Sequence, residues 1–295
     1  MVMKTLRIGL NDIPYFEEGL AIAVGYFDGF HLGHQVLLNE TKKRKEKHHL
    51  SMAVLSFDPN PLVTLGRMKE EKYITSLEDR ARILEEMDLG IDYFLILDFN
   101  LEVANLLPET FIEKFMISMN VKQVICGFDF YFGQKGKGNG ALLKTYHEFD
   151  TYIVGEVSKD DLKISTTRIN DCLMKGNIEK ANQLLTRPFQ VTGNVEKGKQ
   201  RGRLLGFPTA NINYGAYYLP KSGVYAVKVI LDDTTYLGMC NIGKNPTFDD
   251  IFKEQWKSIC LISTKIFMVN LFVLNSTTTC VMKRNLVHLK NLKNN

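Results

Sequence analysis

One segment of the chain, residues 21–39, constrains the fold and the chemistry more than any other. It begins with the apolar run 21–24, which predicts a buried parallel strand. A glycine-containing turn comes next, and a helical pattern begins near His34, three residues after His31. Gly33 stands between the two histidines and lets the backbone approach a ligand closely. Because free N–H groups and the positive end of a helix dipole meet at such a point, the segment predicts a polyphosphate site.

The chemistry that this arrangement favours is transfer of a nucleotidyl group. Two imidazoles at a helix N-terminus can donate hydrogen bonds to phosphate oxygens, which suits nucleotidyl transfer better than hydride transfer. The alternative is a solvated helix cap with two incidental histidines. The pattern G-x-F-D-x-x-H-x-G-H, with Gly25, Phe27 and Asp28 in its turn, resembles the signature by which the nucleotidylyltransferase superfamily holds ATP.

Composition limits the size and the class of the protein. A length of 295 residues predicts two domains, and a hydrophobic content of 45% is ample for their cores. No stretch approaches the roughly 20 apolar residues of a membrane span, and the N-terminus shows no signal-peptide pattern. The five cysteines are scattered without metal-type spacing. We therefore expect a cytoplasmic protein with reduced thiols and no membrane partner.

The net charge of +4 is unevenly distributed along the chain. After Glu254 there is no acidic residue, and the basic residues there are Lys257, Lys265, Lys283, Arg284, Lys290 and Lys293. Without these six, 31 basic residues (37 minus 6) stand against 33 acidic residues, a net charge of −2. The body of the protein therefore predicts no nucleic-acid partner, and the basic tail needs an explanation of its own.

The first predicted domain, residues 1–186, alternates strands with helices, which indicates a doubly wound parallel α/β sheet. Further strands are predicted over 52–57, 93–99, 121–127 and 152–157, with helices over 76–87 and 108–119. Asp58 comes just past one of these strands, at the edge of the sheet where such folds bind ligands. The alternative for Asp58 is a plain Asx-Pro turn.

Two more segments of this domain predict contacts with phosphate. Residues 133–140 alternate glycines with lysines, which is typical of a flexible, positive loop that closes over phosphates. A structural glycine-rich turn is the commoner alternative. Residues 164–168, Ile-Ser-Thr-Thr-Arg, open a helix with three hydroxyls and a guanidinium. They predict a second phosphate site at a helix N-terminus.

The second predicted domain, residues 187–295, has a different pattern. Short alternating strands over 189–195, 223–231 and 236–242 predict a small antiparallel β-barrel. The glycines and basic residues of segment 198–211 can cradle ATP, and the segment ends with Thr209 and Asn211, whose side-chain oxygens suit Mg²⁺. As a generic loop of glycine and arginine, the same segment would be structural.

Over about residues 21–248 the chain resembles the bacterial bifunctional riboflavin kinase/FAD synthetase family. The motifs that carry the resemblance are F-D-P-x-P at 57–61, G-x-D-F-x-F-G at 127–133, I-S-T-T at 164–167, G-R-x-x-G-F-P-T-A-N at 202–211 and N-I-G-x-x-P-T-F at 241–248. The resemblance implies two reactions on small-molecule substrates. Riboflavin would be phosphorylated to FMN with ATP and Mg²⁺, and FMN would be adenylylated to FAD.

The resemblance also implies roles for individual residues. His31, His34, Ser165, Thr166 and Arg168 would act on the phosphates during adenylyl transfer. The residues that would bind ATP or the flavin are Gly25, Phe27, Asp28, Gly33, Asp58 and Asp129 in the first domain, and Gly198, Arg203, Gly206, Pro208, Asn241, Gly243 and Thr247 in the second. Thr209 and Asn211 would bind Mg²⁺.

Three positions depart from the family pattern. Asn60 stands where the family usually has His, Tyr131 where it has Arg, and Asn170 where an Arg closes the I-S-T-T segment. The last change removes a bidentate phosphate ligand, and Arg168, two residues earlier, would face elsewhere on a helix. These departures keep open the alternative of a flavin- or nucleotide-binding protein without catalysis.

After about Asp250 the motifs of the family disappear from the chain. The family expects a strand there with the Glu that acts as base for the riboflavin hydroxyl. Translated one base out of register, the codons of Trp256 and Lys257 force a Glu at that place. We therefore interpret the tail as frameshifted between about residues 250 and 256. We expect it to unseat the last strands of the barrel and to impair the kinase step, which leaves an adenylyltransferase alone as an alternative.

Overall fold

The computed structural model divides into two compact units, Met1–Arg168 and Ile169–Asn295. This division falls earlier in the chain than the predicted domain boundary at residue 186, because the helical segment before that boundary groups with the second unit. The residues that the structure describes are 2–196, 209–231, 234–244, 254–260 and 269–273.

A parallel sheet of six strands forms the centre of the first unit. Its strands are β1 (Lys4–Ile8), β2 (Leu20–Val24), β3 (Ser51–Asp58), β4 (Tyr93–Asp98), β5 (Val121–Gly127) and β8 (Asp150–Val154). They lie in the order β1-β4-β3-β2-β5-β8, and each neighbouring pair is parallel. The predicted doubly wound sheet is therefore confirmed. The direction of winding reverses between β2 and β5, and such a switch point is where open α/β sheets bind ligands.

Helices connect the strands, and most of them begin at a side-chain cap. They are α1 (Leu32–His48), α2 (Pro61–Thr64), α3 (Leu77–Glu86), α4 (Leu101–Ala104), α5 (Pro108–Ile112), which continues as a π-helical turn Glu113–Ile117, and α6 (Gly140–Leu143). The Ser76 side chain accepts from the N–H of Asp79 at the start of α3. The helices predicted over 76–87 and 108–119 are confirmed.

Both faces of the sheet are buried, which explains the continuous apolar runs in its central strands. Successive residues of β3 belong to opposite cores: Ala53 and Leu55 pack on one face, Met52 and Val54 on the other. The helices cover both faces, so a ligand can approach the sheet at the ends of its strands. The turns that contain the predicted site lie at the carboxyl ends of these strands.

Two small hairpins follow the carboxyl ends of β5 and β8. One joins β6 (Tyr131–Phe132) to β7 (Gly138–Asn139), and the other joins β9 (Ser158–Lys159) to β10 (Leu162–Lys163). The glycine-lysine segment that we expected to be an open, flexible loop forms the first of these hairpins. A Cβ at Gly138 would lie 2.5 Å from the Phe132 ring, so this glycine is required for close packing within the hairpin.

The second unit contains a closed antiparallel barrel, as predicted. Two helices precede it: α7 (Thr166–Lys175), which begins in the first unit, and α8 (Ile178–Leu185). The barrel strands are β11 (Gln190–Glu196), β12 (Thr209–Asn213), β13 (Gly223–Leu231), β14 (Thr234–Lys244), β15 (Glu254–Cys260) and β16 (Val269–Val273). The order around the barrel is β11-β12-β15-β14-β13-β16.

The barrel includes two strands from the tail of the chain. β15 pairs with β12 and β14, and β16 pairs with β11 and β13, so the tail supplies the strands that close the barrel. The expectation that this tail unseats the last strands is wrong. The physical reason is that strand pairing depends on backbone hydrogen bonds and on β-favouring residues, which the sequence Val-Asn-Leu-Phe-Val of β16 provides.

Candidate active site

The turn between β2 and α1 is held in an unusual backbone conformation by packing beneath it. Phe27, Gly29 and Phe30 all have positive φ, at 54°, 85° and 45°. The two phenylalanines are fully buried and stacked, with ring centroids 5.9 Å apart. A Cβ at Gly25 would lie 3.3 Å from the Phe27 ring. Gly25 and Phe27 therefore shape the turn from below, and backbone strain of this kind is found most often at functional sites.

His31 and His34 form a stacked pair at the start of α1. Their ring centroids are 3.7 Å apart and their planes differ by 15°. His31 is the N-cap residue, and its Nδ1 accepts from the backbone N–H of His34 at 3.4 Å. Because Nδ1 accepts, the proton of a neutral His31 belongs on Nε2, which makes that atom a donor. A Cβ at Gly33 would already lie 3.2 Å from the His31 ring.

Both imidazoles are neutral near pH 7. Burial lowers the pKa of His31 from 6.5 to about 4, because the charged ring loses its hydration. Burial also lowers the pKa of His34 well below its usual value, and repulsion from His31 when that ring is protonated and from Arg80 adds to this effect. His34 Nδ1 is buried and has no hydrogen-bond partner within the described residues. The pair therefore offers neutral N–H donors rather than cations.

The lowered pKa of His31 predicts a loss of stability in mild acid. The unfolded chain binds a proton near pH 6.5 and the folded chain only near pH 4, so stability is full above pH 6.5 and falls as the pH drops towards 4. For His31 alone this amounts to about 2 kcal/mol between pH 7 and pH 5. We expect His31→Asn to reduce the pH dependence of urea unfolding by that amount. An unfolding free energy whose pH dependence is the same in His31→Asn as in the wild type would contradict this assignment.

Asp28 is directed away from solvent and towards the segment before α3. Its carboxylate accepts from the backbone N–H groups of Ile74 and Thr75, each at 2.9 Å, and the residue is only 2% exposed. The guanidinium of Arg80 lies 3.9 Å from the same carboxylate and donates to the Tyr26 carbonyl at 3.0 Å. Asp28 and Arg80 thus fasten residues from two distant parts of the chain to each other. A direct contact of Asp28 with ATP or the flavin stays a prediction.

Arg80 belongs to this site although no motif in the sequence pointed to it. The signal was present, because Arg80 precedes Ile83 and Leu84 by three and four positions, on the stripe that α3 buries. A charged residue on a buried stripe is uncommon unless it is paired.

The predicted hydroxyl cluster reaches the same turn. Thr166 Oγ1 donates to the backbone carbonyl of Asp28 at 3.3 Å, so the start of α7 lies against the turn that precedes the histidines. Ser165 Oγ accepts from the N–H of Arg168 at 3.3 Å, as an N-cap side chain does. The structure thus brings Thr166 together with the β2–α1 turn, and an action of Ser165 and Thr166 on phosphate stays a prediction.

Arg168 is engaged by the hairpin of β9 and β10. Its Nη1 donates to the carbonyls of Lys159 at 2.9 Å and Leu162 at 2.7 Å, and its Nη2 lies 3.4 Å from Asp160 Oδ2. Its described contacts are therefore to protein carbonyls and a carboxylate. A direct action of Arg168 on phosphate stays a prediction.

These contacts predict the effect of removing the Arg168 guanidinium. We expect Arg168→Met to lower the free energy of unfolding by about 1–3 kcal/mol, because carbonyl groups lose charged donors. Amide hydrogen exchange should rise over residues 158–163. Arg168→Lys should not restore protection, because an ammonium cannot reach two carbonyls and a carboxylate as a planar fork does. Arg67→Met, at an exposed position, is the control, and unchanged exchange in Arg168→Met would contradict the assignment.

The two predicted aspartates at strand ends lie in different surroundings. Asp129, two residues after β5, makes an ion pair with Lys163 Nζ at 2.5 Å, and the charges of both residues act on His31. Asp58, the last residue of β3, pairs with Arg7 at 2.7 Å. Asp58 lines a cavity of about 170 Å³. The other lining residues are Arg7, Tyr26, Phe57, Glu71, Tyr73, Leu77, Glu78 and Arg80, and neither histidine is among them.

In the barrel, the structure describes part of the second predicted site. Thr209 and Asn211 lie two positions apart in β12, the spacing at which residues of a strand share a face. A hydroxyl and an amide oxygen are ligands that Mg²⁺ accepts, and the assignment of this pair to Mg²⁺ stays a prediction. Asn241 and Gly243 lie in β14. The predicted residues outside the described part of the chain are Gly198, Arg203, Gly206, Pro208 and Thr247.

The register of the barrel places two predicted residues of the second site next to the same position of β15. Asn211 of β12 and Asn241 of β14 have the same Cα partner on β15, which is Lys257. Lys257 is the position next to which the out-of-register translation forces a Glu. A basic residue therefore stands between the strand of the predicted Mg²⁺ ligands and Asn241.

The fold and the site define a class. A doubly wound sheet with a His-x-Gly-His pair at its switch point, followed by an antiparallel barrel, is the architecture of a two-domain nucleotidyl-transferring enzyme. A family model described as FAD synthetase matches residues 14–168, and one described as riboflavin kinase matches residues 185–281. The second match continues past Asp250, so the expectation that the resemblance ends there is wrong.

Curated relatives agree with this assignment, and a solved structure of another name shares the fold. Proteins named bifunctional riboflavin kinase/FMN adenylyltransferase are 41% identical in Listeria monocytogenes (84% of this chain, 80% of the relative) and 41% identical in Bacillus subtilis (86% and 81%). The Escherichia coli K12 protein of that name is 34% identical (85% and 82%). The crystal structure of a macrolide-efflux protein from Streptococcus pneumoniae is similar at a TM-score of 0.84 and 30% identity, covering 98% of this chain and 94% of that chain.

The chain belongs to the bifunctional riboflavin kinase/FMN adenylyltransferase family. It is a transferase of FAD biosynthesis, in which riboflavin, FMN and ATP are the substrates. Among the described residues, no helix has the length and apolar character needed to cross a membrane.

Proposed function

We propose that the first unit makes FAD by adenylyl transfer at the β2–α1 turn. The FMN phosphate attacks the α-phosphorus of ATP, a new P–O bond forms, the bond to the β-phosphate oxygen breaks and pyrophosphate leaves. The attacking phosphate is already an anion, so the reaction needs no general base. What it needs is alignment of the two phosphates and stabilisation of charge in the transition state.

The stacked neutral histidines are the observation that carries this proposal. Their lowered pKa values keep both rings neutral at neutral pH, so each ring has an N–H donor. In His31 the donor is Nε2, because Nδ1 accepts the backbone N–H of His34. Such donors stabilise the charge that develops on the α-phosphate oxygens and leave no net charge behind when the products dissociate. Ser165 is proposed to contribute a hydroxyl donor, because its oxygen accepts from the Arg168 N–H and its own proton is not used in that bond. Thr166 is proposed to hold the start of α7 against the same turn, because its hydroxyl donates to the Asp28 carbonyl.

The contacts of Asp28 and Arg168 support positioning roles rather than direct ones. Asp28 fastens the turn to residues 74–75, and Arg168 fastens the hairpin that ends one residue before Ile164. Asp129 is proposed to lie in the nucleotide site, because it follows β5 at the switch point and its charge reaches His31.

We propose that the barrel holds the riboflavin kinase step, with Thr209 and Asn211 as Mg²⁺ ligands. The ion would neutralise phosphate charge when bound. In this step the 5′-hydroxyl of riboflavin attacks the γ-phosphorus of ATP, and its proton must pass to a base. No carboxylate follows Glu254 in the sequence, and the register places Lys257 beside Asn211 and Asn241. This observation favours the second candidate function, an FMN adenylyltransferase whose kinase step is impaired.

One assay separates these functions. The purified chain is incubated with ATP, Mg²⁺ and either riboflavin or FMN, and the flavins are resolved by chromatography. FAD from FMN with little FMN from riboflavin supports an adenylyltransferase with an impaired kinase. Both products at comparable rates would refute the impairment. Neither product would leave a binding protein, and would direct attention to Asn60, Tyr131 and Asn170.

The same chemistry supports a cytoplasmic location, which we propose. ATP and flavins are substrates of that compartment, and the five cysteines are scattered along the sequence without the spacing of a disulfide framework.

A further inference from the structure

Lys163 is the last residue of β10 and stands two residues before Ser165. Its ammonium lies 2.5 Å from Asp129 Oδ2 and 4.7 Å above the centre of the Phe128 ring. It thus bridges from the β9–β10 hairpin to the residues that follow β5. No motif singled out this lysine, because a single lysine before a helix is usually a solvated surface residue.

The backbone of Lys163 is fixed although its head group is accessible. Arg168 donates to the carbonyls of Leu162 and Lys159, so the hairpin that carries Lys163 is fastened to the start of α7. The side chains of Lys163 and Asp129 are 39% and 53% exposed. An ion pair with this exposure is weakly held, and an anion with a higher charge density can displace the carboxylate.

The position of Lys163 relates it to the proposed phosphates. Its charge acts on His31, as does that of Asp129, so the ion pair lies within electrostatic range of the histidine pair. Thr166, three residues further on, touches the turn that precedes the histidines. Lys163 is therefore two residues from Ser165 in the sequence and in contact with Asp129, which follows β5 at the switch point.

We propose that Lys163 binds the phosphates of ATP. Without nucleotide its ammonium pairs with Asp129, and when ATP binds, the triphosphate replaces Asp129 as the partner of the ammonium. This inference rests on the proposed adenylyl transfer at the β2–α1 turn. A lysine on a fixed backbone with a mobile head can follow the charge from the triphosphate to the leaving pyrophosphate, which a residue held by several carbonyls cannot do. Asp129 keeps the lysine aimed at the site while it is empty.

The test combines kinetics with binding. Lys163→Met and Lys163→Arg are compared with Lys159→Met, which alters a lysine of the same hairpin. The Michaelis constants for ATP and FMN are measured in FAD formation, and calorimetry gives the dissociation constants of ATP, inorganic pyrophosphate and adenosine. We expect Lys163→Met to weaken ATP and pyrophosphate about tenfold or more, because a charged hydrogen bond is lost. Adenosine binding, the Michaelis constant for FMN and the melting temperature should stay unchanged.

The set of variants separates loss of the lysine charge from a general loss of structure. Lys163→Arg should retain affinity within about threefold, since it keeps the charge, and Lys159→Met should match the wild type. Unchanged pyrophosphate binding in Lys163→Met would overturn the inference, and so would equal losses in Lys163→Met and Lys163→Arg with a lowered melting temperature. If the wild type binds pyrophosphate through Lys163 but makes no FAD, the proposed function fails and the assignment of Lys163 stands.

Discussion

Removal of the His31 imidazole is expected to lower the turnover number for FAD formation from FMN by about 10²–10³-fold, the loss found when one preorganised donor to a developing oxyanion is deleted. The reason lies in the geometry of the pair. His31 Nδ1 is occupied by the backbone N–H of His34, so Nε2 is the donor, and burial keeps the ring neutral with a pKa of about 4. We expect the Michaelis constants to change much less than the turnover number, because the donor acts on charge that develops in the transition state.

The choice of substitution separates catalysis from folding. His31→Ala would also remove the N-cap of α1, which costs about 1 kcal/mol of stability. His31→Asn is the better variant, because an Asn side chain caps a helix well while the imidazole donor is lost. His48, exposed at the other end of α1, supplies the control His48→Asn. Steady-state kinetics at pH 7 and at pH 8 should give the same ratio of wild type to variant. A turnover number within fivefold of the wild type would contradict the role of His31.

Much of the first unit follows from local patterns in the sequence. The central strands are continuous apolar runs and α3 has both a cap and an apolar stripe, so the sheet and its longer helices are predictable. β1 (Lys4–Ile8) escaped prediction because it is an edge strand with lysine, threonine and arginine among its five residues. Its pairing with β4 is a tertiary contact that no local pattern reveals.

The β9–β10 hairpin escaped prediction for a related reason. Its two-residue turn is Asp160-Asp161, and both residues have positive φ, at 54° and 57°. The strong sequence signal for such a turn is Asn-Gly or Asp-Gly, since glycine adopts positive φ without strain. Here Arg168 stabilises the hairpin from outside by binding its carbonyls. The cause of the turn therefore lies several residues away from it.

In the candidate site, the sequence motif predicts which residues lie together but not which groups their side chains contact. The spacing of His31 and His34 predicted their common location, and the stacked pair lies at the start of a helix as expected. The direction of Asp28 could not be predicted, because its partners Ile74 and Thr75 stand 46 and 47 positions further along the chain. A motif specifies which residues are near each other, whereas long-range packing decides what each side chain faces.

The tail of the chain can complete the barrel fold without supplying a catalytic residue. Its segments 254–260 and 269–273 form strands that close the barrel, although we expected them not to. Backbone pairing tolerates many sequences, so the presence of these strands says nothing about a base for the kinase reaction. A catalytic carboxylate, by contrast, requires one residue type at one register position. The interpretation of the tail as frameshifted therefore stays a hypothesis, and its consequence for catalysis is open to test.

Lys257→Glu is expected to raise the rate of FMN formation from riboflavin by about tenfold or more. The barrel register makes Lys257 the Cα partner of both Asn211 and Asn241, so the substitution puts a carboxylate beside the strand of the proposed Mg²⁺ ligands. A positioned general base contributes about 10²–10⁴-fold, and the smaller gain expected here allows for the other family motifs that the tail lacks. FAD formation from FMN should be unaffected, because that reaction is proposed for the first unit.

Lys228→Glu supplies the matched control, since it makes the same change of charge at an exposed position of β13 in the same barrel. Riboflavin phosphorylation is measured with riboflavin, ATP and Mg²⁺, with FMN quantified by chromatography. If Lys228→Glu raises the rate as much as Lys257→Glu, the effect is one of overall charge and not of a positioned base. If the wild type already phosphorylates riboflavin as fast as it adenylylates FMN, the kinase needs no carboxylate at this register. A gain confined to Lys257→Glu would instead mean that the tail keeps the barrel closed while withholding the one residue that accepts the proton.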